Sequence, residues 1–309
     1  MPTISIVSAL YNEEENIRSL HAQVREVFSK LPGYAYEHIC IDNASKDRTL
    51  SILRGLSRED KNLKVIVNTR NFGQVRSPYH ALLQARGDAV ITVAGDLQDP
   101  PTLIPGFLKK WEEGHKVVLG IKESSGESPL MFFIRKRYYD LMSRLSEIEL
   151  VKNFTGFGLY DRVVVEALRS LDDPYPYFRG QIAELGFEAA RISYRQEPRR
   201  RGITKNNFYT LYDIAMLGLT HHSKVPLRLA AMLGFVMSTV FFLIAAGYLV
   251  AKLLFWDKFP MGTVPILIGL FGFSSVQLFF IGIIGEYIGA IYTHVLKHPL
   301  VIEKERINF

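Results

Sequence analysis

Two carboxylates and an amide, Asp96, Gln98 and Asp99, follow directly on the apolar run Val90-Ile91-Thr92-Val93 and stand before Pro100-Pro101. Hard divalent cations take oxygen ligands. The carboxyl ends of strands in open α/β sheets are where ligands bind. A metal and a phosphorylated substrate are therefore expected at this stretch. The competing reading is an Asp-rich turn that caps the next helix.

Three more polar clusters occupy matching positions. Tyr11-Asn12-Glu13 follows the β-rich run Ile4-Ser5-Ile6-Val7-Ser8, Asp42-Asn43 follows residues 37–41, and Arg70-Asn71-Phe72-Gly73 follows residues 63–67. Residues 89–93 and 117–120 read as fourth and fifth strands. Helical signals lie between them. Asn12 is expected to cap a helix with Glu15 three residues on, carrying Ile17, Leu20, Val24, Val27, Phe28 and Leu31 as its apolar stripe. Ser45 is expected to cap a second helix with Leu50, Leu53 and Leu56 on one face, and residues 79–85 form a third. Alternating strands and helices predict an α/β fold with a mostly parallel sheet. Polar residues at four successive strand ends are most simply explained by a nucleotide-type ligand with a metal. Gly156-Phe157-Gly158 lacks the third glycine of a dinucleotide fingerprint and does not open the first βα unit.

The apolar residues crowd into the last third. Residues 229–251 and 264–285 carry no charge, and each is long enough to cross a hydrocarbon core of about 30 Å as a helix. With only Trp256-Asp257-Lys258-Phe259-Pro260 between the helical stretches, they predict a transmembrane hairpin. Lys205, Lys224 and Arg228 precede it and Lys297, Lys304 and Arg306 follow, so the N-terminal domain and the tail are expected in the cytoplasm. Lys252 and Lys258 soften that contrast. The net charge of +6 suits an anionic leaflet and calls for no nucleic acid. The single cysteine, Cys40, excludes a disulfide framework, and no cleavable signal peptide is expected at the N-terminus.

Between these parts the chain is basic. A helix over 130–145 carries Arg135, Lys136, Arg137 and Arg144, and Pro198-Arg199-Arg200-Arg201-Gly202-Ile203-Thr204-Lys205 is the densest cationic cluster. Residues 206–218 fit an amphipathic helix lying at the membrane surface. Such cations can hold a membrane, at about 1 kcal/mol each, or grip a phosphate, which suits the planar guanidinium. Arg199 and Lys205 are read in the second way, Lys224 and Arg228 as topology anchors.

In their order along the chain, several motifs together resemble the polyprenyl-phosphate glycosyltransferases of glycosyltransferase family 2. They are Tyr11 to Ile17, Asp42 to Asp47, Arg70 to Gly73, Gly87-Asp88, Asp96 to Pro101, Phe178-Arg179-Gly180, Arg199 to Lys205 and Gly285 to Gly289. The resemblance implies a GT-A type, Rossmann-like domain over residues 1–205. Juxtamembrane amphipathic helices over 206–226, two transmembrane helices within 227–292 and a cytoplasmic tail over 293–309 would follow. It implies a UDP-sugar donor, Mg²⁺ or Mn²⁺, a polyprenyl phosphate acceptor, inversion at the sugar, and a multi-pass protein of the inner membrane with its catalytic domain cytoplasmic. A homo-tetramer is implied by resemblance alone.

By that resemblance Tyr11, Glu13 and Asp42 face the nucleobase, with Asn12 and Asn71 completing the donor site. Asp96 and Gln98 take the metal and diphosphate. Arg199, Thr204 and Lys205 bind the acceptor phosphate, helped by Arg135 and Arg137. The catalytic candidates are Asp96, Asp99 and Asp161.

Departures from the family pattern are informative. Ala94 stands where the first Asp of an Asp-x-Asp motif is usual, Ala9 replaces a proline, and Gly156 and Gly158 replace an acidic and a basic residue of Asp-Phe-Arg-Leu. The usual candidate base is therefore absent. Asp161 could stand in, or could cap the helix that follows. A phosphate monoester, with a second pKa of about 6, is already an anion and needs positioning more than a base. Glu286, the one ionisable residue near the second span, is a functional candidate or a headgroup-level contact. UDP-glucose is the first donor expectation, with an amino or formamido pentose or an N-acetylhexosamine next. A non-catalytic nucleotide-sugar-binding scaffold and transfer to a non-lipid acceptor are the rival readings.

Overall fold

The computed structural model describes residues 1–123, 151, 153–196, 216–217, 220, 223, 225–255 and 263–309. Arg135, Arg137, Arg199, Thr204 and Lys205, and nearly all of the amphipathic helix expected over 206–218, lie outside these residues.

Eight strands form one sheet in the order β7-β5-β6-β4-β1-β2-β3-β8. They are β1 (Thr3–Leu10), β2 (Ala35–Asp42), β3 (Leu63–Asn68), β4 (Ala89–Thr92), β5 (Val117–Lys122), β6 (Phe154–Asp161), β7 (Ala189–Tyr194) and β8 (Glu303–Ile307). The run β4-β1-β2-β3 is parallel, as the alternating pattern predicts, so these four strands end on one edge. β6 runs antiparallel to both β4 and β5, and β8 antiparallel to β3.

The helices of the domain are α1 (Ile17–Ser29), α2 (Thr49–Glu59), α3 (Gly73–Gln84), α4 (Ile104–Glu112), α5 (Arg162–Ser170) and α6 (Phe178–Glu184). Ile17, Leu20, Val24 and Phe28 are buried on α1, as their spacing predicts. The sheet separates two apolar layers. Ile4, Ile6, Val65, Ile91 and Leu159 face one, and Val7, Ile39, Ile66, Val90 and Tyr160 the other. Alternate residues on a strand point to opposite faces, so each buried strand feeds both layers.

Two expected caps are corrected. The first helix begins at Ile17, and the second at Thr49; neither Asn12 nor Ser45 caps it. Those side chains tie strand ends together instead. β6, β7 and β8 were not foreseen, and the tail expected over 293–309 contains the edge strand β8.

Two long helices follow, α7 (Val225–Leu254) and α8 (Thr263–Leu296). Among the described residues one stretch, Gly272–Leu296, is long and apolar enough to cross a membrane, and Val225–Met237 is a shorter apolar stretch. Large apolar side chains stand exposed along both helices, among them Phe235, Leu243, Leu278 and Phe279. Tyr287 on α8 is buried and donates its hydroxyl to the carbonyl of Ser223, just before α7, at 2.5 Å.

Candidate active site

The carboxyl ends of β1, β2 and β4 adjoin one another, and each turns through a non-glycine residue in the left-handed region. These are Asn12 (φ 55°), Ala44 (φ 59°) and Leu97 (φ 61°); Asn153, just before β6 on the same edge, is a fourth (φ 60°). Such a conformation costs an L residue about 1–2 kcal/mol. Strain of this kind gathers where surrounding structure holds a binding edge in shape.

The first two turns lock together. Asn12 N donates to Ser45 Oγ at 2.9 Å, and Lys46 N donates to Asn12 Oδ1 at 2.7 Å. Glu13 N donates to Thr49 Oγ1 at 2.9 Å and Glu14 N to Asp47 Oδ2 at 3.2 Å. Asp47 also accepts the N–H of Thr49; burial would raise its pKa, but these hydrogen bonds prevail and hold it below the usual range. Asn12 therefore acts through its neighbours, while Tyr11 and Glu13 line the same edge half-buried.

Asp42 ends β2 fully buried. One carboxylate oxygen accepts Ser45 N at 3.2 Å, and the other is buried with no hydrogen-bond partner. Burial pushes its pKa up, against the hydrogen bonds from Ser45. An unpaired buried acceptor is costly, and a ligand N–H would satisfy it.

Asn43, beside Asp42 at the end of β2, is a rivet. Its Nδ2 donates to Asn71 Oδ1 and to the Gly73 carbonyl, both at 3.0 Å, and its Oδ1 accepts Phe72 N and Asn68 Nδ2. Asn71 Oδ1 also accepts Gly73 N at 2.7 Å. Asn71 thus shapes the loop that opens α3 with one side-chain oxygen already engaged.

The turn after β4 carries the opening motif. Gly95 is required by close approach, since a Cβ there would sit 2.9 Å from the Ala9 carbonyl and 2.5 Å from a Leu10 methyl. Asp96 and Gln98 are half-buried, and Gln98 N donates to Asp96 Oδ1 at 3.2 Å. Asp99 is turned inward, 6% exposed, where it accepts the Tyr194 hydroxyl at 2.5 Å. Burial drives its pKa up, with the tyrosine hydrogen bond opposing.

Among the described residues, no three His, Cys, Asp or Glu side chains converge to hold a metal by themselves. The donor set nonetheless fits a hard cation, because Mg²⁺ is commonly held by one or two carboxylates plus substrate phosphates. Asp96 supplies such a carboxylate in the turn after β4. Ala94 offers none.

Two motif residues lie at the opposite edge. Asp161 faces Ala89, at the start of β4, in the β4–β6 register. It accepts Trp111 Nε1 at 2.7 Å, Lys116 Nζ at 3.0 Å and Val163 N at 3.0 Å. Burial would raise its pKa; these donors win and lower it. Asp161 is thus the N-cap of α5, the alternative its place before that helix allowed. Gly87-Asp88 is also structural. Asp88 N donates to the Thr3 carbonyl, and Thr3 N to Asp88 Oδ2, both at 2.7 Å.

The Gly156 segment does lie at the site edge, since Gly158 faces Thr92 at the end of β4. The Gly156 carbonyl accepts the hydroxyls of Thr92 and Tyr160. Gly158 has no alternative: a Cβ there would stand 2.5 Å from the Val118 carbonyl.

Residues 5–169 match the family model described as Glycosyl transferase family 2. The chain belongs to that family. An uncharacterized glycosyltransferase of Synechocystis, sll0501, is 34% identical over 97% of this chain and 94% of its own length. The SfII prophage-derived bactoprenol glucosyl transferase of Shigella flexneri is 33% identical, covering 98% of this chain and 97% of its own. A mycobacterial protein of known crystal structure aligns at TM-score 0.51 and 17% identity over 71% of this chain and 73% of its own, a likeness of fold alone. This family 2 glycosyltransferase has the GT-A-like, mostly parallel α/β domain expected of it.

Proposed function

We propose that the enzyme transfers a sugar, with inversion, from a UDP-sugar to a polyprenyl phosphate at the cytoplasmic face of the membrane. The observation that carries the donor half is the unpaired, buried oxygen of Asp42 one strand from the β1 end, which in turn adjoins β4 and Asp96. A nucleobase N–H would pair with it, with Tyr11 and Glu13 beside the base and Asn12 and Asn71 shaping the walls. Asp96 and Gln98 would hold Mg²⁺ or Mn²⁺ against the diphosphate. When bound, that cation would neutralise the leaving group as the glycosidic bond breaks.

An acceptor phosphate oxygen forms the new bond to the anomeric carbon, and the carbon–oxygen bond to UDP breaks, releasing UDP. The acceptor arrives already ionised, so no protein base must take a proton. Its capture falls to Arg199, Thr204 and Lys205, with Arg135 and Arg137. UDP-glucose is the first donor choice, in keeping with the Shigella relative's name.

The lipid acceptor is supported by that name and by the exposed apolar side chains of α7 and α8. A two-span hairpin agrees with the Tyr287–Ser223 bond, which joins the start of α7 to α8. It agrees equally with the return of the chain from α8 into the sheet as β8. Both free ends of the hairpin then lie on the domain's side.

Purified enzyme with Mn²⁺, radiolabelled UDP-glucose and a short polyprenyl phosphate should yield an organic-extractable labelled product. Asp96→Ala and Arg199→Ala should each reduce it severely. No lipid product from any UDP-sugar, with UDP binding intact, would favour the scaffold. Full activity in Arg199→Ala would point to a non-lipid acceptor.

A further inference from the structure

Tyr194 lies on β7, three positions from β4 in the sheet order, yet its hydroxyl meets the turn that follows β4. Its ring is 5% exposed and packs edge-on against Phe157 at 5.3 Å, and Phe157 packs edge-on against Phe107 at 4.9 Å. Gly120 makes this fit possible: a Cβ there would lie 2.9 Å from the Phe157 ring and 3.3 Å from Tyr194 Cε1. The phenol is therefore held by packing, with its oxygen donating to Asp99.

Asp99 closes the turn. Its carboxylate accepts the Tyr194 O–H, which ties the far end of the turn between Ala94 and Asp99 to β7. Between them Leu97 is left-handed and Gln98 N is bonded to Asp96 Oδ1. Asp96 and Gln98 thus sit in a turn whose last residue, Asp99, is held by Tyr194.

We propose that Tyr194 is a positioning residue, whose hydroxyl, acting through Asp99, holds Asp96 and Gln98 in the geometry that binds the divalent cation and the donor diphosphate. This rests on the donor site proposed above.

The test is Tyr194→Phe in the full-length enzyme, which keeps the ring packing and removes only the hydroxyl. Mn²⁺ binding in the presence of UDP is followed by electron paramagnetic resonance, metal-free UDP binding by calorimetry, and transfer by kcat and donor KM. A misplacement near 1 Å at a reacting site can cost about 100-fold. We expect a rise of about tenfold in half-saturating Mn²⁺ and a fall of about tenfold in kcat, since the loosened turn keeps Asp99. Metal-free UDP binding, which draws on Asp42, should stay within twofold, and so should donor KM at saturating Mn²⁺. A merely structural role would lower the melting temperature and leave the Mn²⁺ titration unmoved.

Half-saturating Mn²⁺ and kcat both within twofold of wild type would overturn the proposal while leaving the donor site standing. Wild-type protein that shows no Mn²⁺-dependent UDP binding would overturn both. Should Tyr194→Phe fail to fold, Asp99→Asn decides. It keeps an acceptor oxygen for the phenol, so a Mn²⁺ titration within threefold of wild type supports positioning. A loss beyond tenfold would make Asp99 a ligand in its own right and sink the assignment.

Discussion

His80 on α3 and Glu303 on β8 meet at 2.6 Å between Nε2 and Oε1, which clamps the strand that follows α8 to the helix that begins at the Asn71 loop. Arg306 bonds both Glu303 and Gln84, and Arg54 pairs with Glu305 at 2.5 Å. Burial would raise the Glu303 pKa, but Arg306 and His80 prevail and lower it. Asn308 donates to the carbonyls of Ser57 at 2.7 Å and Leu63 at 2.9 Å. The segment leaving α8 is thus part of the domain's edge, where charged residues blunt a strand that would otherwise be open to pairing.

Asn308→Ala should therefore destabilise the domain by about 1–2 kcal/mol, a typical cost for lost hydrogen bonds. The melting temperature should fall by about 2–8 °C. Transfer measured at 25 °C should be unchanged. An unaltered melting curve would mean that β8 adds nothing to the fold.

Acid should unfold the domain through His38, which is fully buried with Nδ1 unpartnered. Burial, reinforced by the neighbouring His21, lowers its pKa to about 3. Unfolding restores a value near 6.5, so the unfolded chain takes up the proton first. Stability is complete above about pH 6.5 and declines as pH falls toward about 3, by up to about 1.4 kcal/mol per unit. Urea midpoints at pH 7.5 and 5.0 should differ accordingly, and His38→Leu should flatten that difference. An equal slope in the variant would remove His38 as the cause.

Asp42→Asn separates binding from stability. The amide replaces a buried carboxylate, so urea stability should hold or rise slightly. A nucleobase N–H would lose its charged acceptor, worth about 1.5–3 kcal/mol, and UDP affinity should drop about 10- to 100-fold. Calorimetry showing wild-type affinity would exclude Asp42 from the donor site.

For Asp161→Ala the expectation is reversed. Losing the cap and the partner of Trp111 and Lys116 should cost about 2–3 kcal/mol of stability. The kcat per folded molecule should stay within about twofold, since the residue lies at the other edge of the sheet from Asp96. A large fall in kcat with an unchanged melting temperature would restore its catalytic candidacy.

The first five strands and the buried stripe of α1 were readable because apolar periodicity is a local property of the chain. The polar strand-end edge was readable for the same reason, as polar residues stood at each strand end. Roles within it were harder. Asn12 and Ser45 look like caps by sequence, but they bond each other's loops across more than thirty residues. β6 was hidden by its glycines, which are depleted in strands, although Gly158 is forced by the Val118 carbonyl. β8, Glu-Lys-Glu-Arg-Ile, reads as a solvated tail until an open sheet edge is available to receive it.

The sequence alone determined the family, the alternating α/β layout, the apolar C-terminal third and the carboxylates available for a donor site. Those follow from residue type and short-range spacing. Only the tertiary structure decided the surroundings of each carboxylate. Asp42 keeps an unpaired oxygen, Asp99 turns to Tyr194, and Asp161 caps a helix at the far edge. Burial and hydrogen-bond partners set the chemistry of a carboxyl group, and both are supplied by segments distant in the chain.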